Sequence, residues 1–177
     1  MNDVMKSDYY RMTGTPYSFG LDSIITYITQ PQIRYMRWWR RSKKNPLRRL
    51  ILLHYAHRYG LEISVNATIG KGLYLGHPYN ITVGSGVILG DNVNLHKGCT
   101  IGRENRGKRE GSPTIGNCVS VGINATIVGK ISIGNDVLIA PNSFVNFDVP
   151  DHSIVVGNPG AIHKRENATE AYIAFRQ

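Results

Sequence analysis

Two of the six histidines in this 177-residue chain, His77 and His96, lie nineteen residues apart. An imidazole with its ordinary pKa near 6.5 can take the proton of a hydroxyl at neutral pH and turn a poor nucleophile into a competent one. A carboxylate on the other ring nitrogen would fix the tautomer and stabilise the imidazolium that forms. No serine or cysteine stands in a nucleophile motif, so a group transfer promoted here would be direct. Paired histidines also raise the question of a metal. A His-only site needs a third ligand, and no further histidine occurs until His152, so no metal is expected.

The elements that must hold these residues announce themselves by an aliphatic residue at every sixth position. It runs Ile63, Ile69, Leu75, then Val83, Leu89, Leu95, Ile101, then Ile115, Val121, Ile127, Ile133, Ile139 and Val145. That period matches neither the helical 3.6 nor the strand alternation of 2. It matches a parallel β-helix of hexapeptide repeats, in which three short strands and three turns make a triangular coil of about 18 residues. The fold expected is therefore mainly β, with the aliphatics stacked inside a prism. Cys99 falls on an inward position and reads as core, and two cysteines make no disulfide framework. A coil of 18 would set residue 80 above Glu62 and His77 three residues back, within about 11 Å. The rhythm breaks twice. Two extra residues enter around His77-Pro-Tyr-Asn80, and eight leave as a polar loop, residues 103–114. Insertions in a solenoid tend to mark its functional face.

Three regions follow: residues 1–60, 61–160 and a tail, 161–177. The first lacks the six-residue period and is cut by Gly14, Pro16, Pro31 and Pro46 into helical pieces near 4–13, 19–29, 32–44 and 47–59. The last of these shows an apolar side of Leu47, Leu50, Ile51, Leu53 and Tyr55, and a short helix is expected near Ala168–Phe175. The formal net charge is +9, and from Ser23 to Leu61 no acidic residue occurs beside Arg34, Arg37, Arg40, Arg41, Lys43, Lys44, Arg48, Arg49 and Arg58. One reading is a solvated basic face; the sharper one is a surface for anions, such as lipid headgroups or a lipid-linked glycan. No nucleic-acid motif accompanies the charge, so nucleic acid is not an expected partner. No window reaches the length of a membrane span and no apolar signal core opens the chain, so a cytoplasmic protein is expected, its basic helices touching at most the inner face of the membrane.

The segment Glu62-Ile-Ser-Val-Asn-Ala-Thr-Ile-Gly-Lys-Gly-Leu-Tyr-Leu-Gly-His77 and the ending Gly157-Asn-Pro-Gly-Ala161 resemble the hexapeptide-repeat acyltransferases, most of all the serine O-acetyltransferases. The resemblance implies a left-handed parallel β-helix, acetyl-CoA as donor and a homotrimer with its active sites between subunits. It places the general base on His77 and its carboxylate partner on Glu62. It places acetyl-CoA contacts on Gly102, Gly122, Ile123, Ala140, Pro141 and Pro159, while Tyr79 and Ser112 are weaker candidates for contact with the acceptor. This chain departs from the family at three places. The acid before the catalytic histidine is Gly76, the Arg-His pair of the loop is Gly111-Ser112, and the helical Arg-Asp-Pro-Ala element is replaced near Met12-Thr-Gly-Thr-Pro16. With those serine contacts gone, the expectation is an acetyltransferase acting on a sugar hydroxyl in capsular or extracellular polysaccharide synthesis. Serine O-acetylation and a non-catalytic scaffold are the alternatives.

Overall fold

The computed structural model describes residues 1–43 and 45–177; Lys44, part of the basic run, lies outside the described residues. Among them, α1 (Asp3–Thr13), α2 (Leu21–Thr29), α3 (Pro31–Ser42) and α4 (Pro46–Tyr59) precede a β-solenoid. Its strands are β1 (Glu62–Ile63), β2 (Thr68–Ile69), β3 (Tyr74–Gly76), β4 (Thr82–Val83), β5 (Ile88–Leu89), β6 (Asn94–His96), β7 (Thr100–Gly102), β8 (Thr114–Ile115), β9 (Val119–Val121), β10 (Thr126–Val128), β11 (Ser132–Ile133), β12 (Val137–Ile139), β13 (Phe144–Val145), β14 (Ser153–Val156) and β15 (Ala161–Lys164). Three parallel faces result. The first stacks β1, β4, β7, β10 and β13; the second β2, β5, β8 and β11; the third β3, β6, β9, β12 and β14, with β15 antiparallel at its end.

All thirteen aliphatics of the six-residue series point inward and are at most 7% exposed. Cys99 is fully buried among them. Each coil thus contributes three apolar side chains to one continuous core, and truncating any of them to alanine would cost roughly 2–5 kcal/mol. Coil length is not uniform. Thr82, not residue 80, lies over Glu62, so the first coil takes twenty residues. The two residues added at 77–80 stay within the turn and shift every later register. Thr100 stacks on Thr82 after eighteen, and Thr126 on Thr100 after twenty-six, which absorbs the polar loop. The corner between the second and third faces carries a side-chain ladder. Asp91 accepts from the Lys71 amide, Asn117 from that of Asp91, Asn135 from that of Asn117, and Asp151 from that of Asn135.

The helices close the open end of the solenoid. A first coil presents unpaired carbonyls, a hazard in any stack of strands. Here Tyr35 Oη and Trp39 Nε1 donate to the Leu61 and Ile63 carbonyls at 3.2 and 3.0 Å, and Lys43 Nζ donates to Ala67 at 2.7 Å. Arg40 donates to Ile69 and Gly70 while its guanidinium grips the buried Asp8 through two bonds of 2.9 and 3.1 Å. The segments that Gly and Pro delimit are helices within a residue or two of their expected ends. The apolar side expected for α4 is different: Leu52 and Tyr59 are buried, whereas Leu47, Leu50, Ile51 and Leu53 face outward. No residue of α2 is buried.

The expected helix near Ala168–Phe175 does not form. The segment runs in turns along the third face, because its polar groups are taken by other partners. Asp136 accepts from the Ala168 and Thr169 amides and from the Thr169 hydroxyl. Asn94 Nδ2 donates to the Tyr172 carbonyl, Arg11 to that of Ala174, and Asn92 exchanges two bonds of 2.8 Å with Gln177. Among the described residues no helix is long and apolar enough to cross a membrane.

Candidate active site

His77 occupies the corner at which the third face passes to the first. Its backbone is left-handed, with φ +51°, and its side chain is exposed. Histidine is among the few residue types that tolerate this region, where the cost is on the order of 1 kcal/mol. Pro78 behind it is buried, and Tyr79 folds back so that its amide donates to the His77 carbonyl at 2.7 Å. Tyr79 packs edge-on against Tyr59 of α4, with 6.0 Å between ring centroids, and the Asn80 amide donates to the Tyr59 carbonyl. The two-residue insertion is thus a tight turn pinned to the helical cap, with the imidazole outside.

Gly76 pairs with His96 on the next coil. A Cβ added at Gly76 would meet His96 Nδ1 at 2.5 Å. A half-buried histidine thus roofs the position before His77, and a side chain there would meet it. His96 is also edge-on to Tyr74, whose ring carries the Arg11 guanidinium 5.8 Å from its centroid. Burial, and then the proximity of His77, lowers the His96 pKa, so this ring is neutral at neutral pH. Among the described residues no three His, Cys, Asp or Glu side chains converge as a metal site would need.

Five of the residues that the resemblance singled out lie along the same corner. Registers carry the column upward from Gly76 through His96 to Gly122 and Ala140. One residue further on, the column carries Lys97, Ile123 and Pro141 above His77. The linking bonds are Lys97 N to Gly76 O, Asn124 N to Lys97 O, and Asn142 N to Ile123 O, at 2.9–3.0 Å. Gly122 must be glycine, since a Cβ there would sit 2.7 Å from Pro141 N and 2.8 Å from Ile139 O. Ile123 and Pro141 are exposed, giving the corner an apolar rail. Pro159, after a cis peptide bond, closes its upper end, where the Gly160 amide donates to Phe144 O.

The remaining candidates are placed elsewhere. Gly102 ends β7 at the far edge of the first face, with Val128 above it. Ser112 lies at the corner beyond, donating to Ser85 O at 2.8 Å, where the loop returns as a small hairpin held by mutual Glu104 and Gly111 amide bonds. Glu62 stands exposed on β1, and among the described residues it makes no hydrogen bond or ion pair with His77. It lines a groove of about 810 Å³ between α4 and the first face, shared with Arg49, His57, Ser64 and Ser85. Nothing in the residue pattern signals this groove, because helical spacing does not tell where α4 docks. The His96 roof had a partial signal in its spacing from His77, and the true partner is one residue earlier, at Gly76.

No family model matches the chain. Serine acetyltransferases of Helicobacter pylori and Staphylococcus xylosus are 38% and 36% identical to it over 99 and 128 residues, covering 56% and 71% of this chain. The chain spans 58% of the length of each. Among solved structures, a Neisseria gonorrhoeae serine acetyltransferase in complex with serine superposes with a TM-score of 0.75 at 26% identity, covering 90% of this chain and 67% of that one. Soybean serine acetyltransferase complexed with serine gives 0.69 at 28% identity, covering 78% and 59%. These relatives overturn the expectation of a sugar acceptor in polysaccharide synthesis. That expectation weighed three lost contacts above a likeness that runs through the whole solenoid.

Proposed function

Starting from a hexapeptide-repeat β-solenoid related to the serine acetyltransferases, we propose that this chain is an acetyl-CoA-dependent O-acetyltransferase whose acceptor is the hydroxyl of serine. The observation that carries the reading is the single corner on which exposed His77 is continued by Gly122, Ile123, Ala140 and Pro141. His77 takes the hydroxyl proton as the oxygen attacks the thioester carbonyl. The C–S bond then breaks, and the proton returns to the departing thiolate. The apolar rail is a surface along which a pantetheine arm lies, with Pro159 at its far end. Glu62 orients the His77 ring once substrate draws the two together; catalytic bonds are often long before substrate binds. Tyr79 and Ser112 flank the acceptor.

The coil is left-handed and the assembly a homotrimer in this proposal. A prism has flat sides, and Gly102 and Ser112 stand one corner away from His77 within the chain. A neighbouring copy presenting that corner to His77 completes the site. The decisive experiment follows thiol release from acetyl-CoA with and without L-serine, alongside sedimentation of the purified protein. Serine-dependent release by a species of three chains is the expected result. Stabilisation by acetyl-CoA without any serine-dependent release overturns the acceptor, and a monomer with full activity overturns the shared site.

A further inference from the structure

Helix α2 is amphipathic with its polarity reversed. Leu21, Ile24, Ile25 and Ile28 recur at helical spacing and all face outward, while Ser23 and Tyr27 turn toward α1 and α3. Phe19, just before the helix, is 91% exposed, and Leu21 and Ile28 are 73% and 63% exposed. The outer side of α4 carries the same signature, with Leu47 73% and Leu50 65% exposed. A stripe this long left in water calls for a cover. The two helices are continuous at one end, where Tyr27 and Ile28 share a groove with Arg34, His54 and Arg58.

Charge identifies the cover. Helices α3 and α4 contain no acidic residue. Arg40 is spent on Asp8, and Arg34 on the Tyr27 and Ile28 carbonyls and the Tyr59 hydroxyl. The side chains of Arg41, Arg48, Arg49 and Arg58 make no hydrogen bond to any described residue. A twofold contact through this face would set those cations against themselves. We infer that the α2 and α4 surface docks on an anionic lipid leaflet, with the Phe19–Ile28 stripe and Leu47, Leu50 and Ile51 seated among the acyl chains and Arg48 and Arg58 against the headgroups. Such a surface combines buried apolar area with electrostatic attraction, and each basic residue near the leaflet strengthens binding about fivefold.

This goes beyond the acyl-transfer reading, and its test needs no turnover, so either can fail alone. The full chain is mixed with vesicles of phosphatidylcholine alone or with added phosphatidylglycerol, and the bound fraction is measured by flotation. Expected is partition onto the anionic vesicles only, weakening as salt rises toward physiological strength. Ile24→Ser with Ile25→Ser weakens it at least about tenfold, and Arg48→Gln with Arg58→Gln by about twenty-five-fold, while acetyl-CoA turnover is unchanged. Absence of binding, equal binding to neutral vesicles, or a sedimenting oligomer that the serine substitutions split apart would each overturn the inference.

Discussion

His77 and Gly76 together decide what this corner can do. If His77 is the base, His77→Ala lowers serine-dependent thiol release by about 10²–10⁴-fold while acetyl-CoA still raises the melting temperature; unchanged release excludes the assignment. Gly76→Asp is a sharper probe. The new Cβ would collide with the His96 ring at 2.5 Å, so the single variant is expected to lose roughly 1–3 kcal/mol. Combining it with His96→Ala should recover most of that loss, because the obstacle is one side chain rather than backbone. Thermal unfolding of the two singles and the double measures the coupling, and additive effects would show that the roof is not the cause.

At the scale of elements, the tail behaves as a strap whose buckle is Asp136. Its carboxylate, 13% exposed, collects the Ala168 and Thr169 amides, the Thr169 hydroxyl and His152 Nδ1 at 2.9 Å. These bonds outweigh burial and hold the carboxyl at about 2, below its usual 3.8. A depressed acid stabilises the folded chain above its unfolded pKa and loses that contribution as the pH falls. On the order of 1–2 kcal/mol is therefore expected to vanish between about pH 4 and pH 2. The bond to Asp136 raises the His152 pKa, so its share is present below the ordinary 6.5 and fades as pH rises through the raised value. Asp136→Asn should abolish the acid step; urea unfolding across pH reads it, and an unaltered profile would refute the buckle. None of this was legible in the sequence. Asp136 sits in a repeat like any other corner residue, and the tail's composition suggested a helix. The coils were legible, because one aliphatic in six is a strong pattern and each of those side chains is indeed buried. The two extra residues at 77–80 were legible from the same rhythm, yet a uniform coil of 18 set residue 80 over Glu62 where Thr82 stands. Helix limits were legible from Gly and Pro, yet the buried side of α4 was not, because Leu52 and Leu50 look alike in a string.

The whole molecule is a stack stapled at its base by aromatic and cationic side chains. Trp39→Ala would expose the Ile63 carbonyl and open a cavity under the first coil, at an expected cost of about 3–5 kcal/mol by chemical unfolding; a cost under 1 kcal/mol would mean the base closes by other means. A solenoid ordinarily couples each repeat only to its neighbours, so it can peel from either extremity. Here the segment from Arg165 to Gln177 leaves the uppermost rung and descends to Asn92, Arg11 and the ring of Phe175 against Gly14. Top and bottom are therefore members of one cooperative unit, and peeling the last rung must also release the first. Calorimetry gives that link a number. The full sequence is expected to melt in one sharp transition whose van't Hoff and calorimetric enthalpies agree, and removing residues 165–177 should broaden the transition and pull the two values apart.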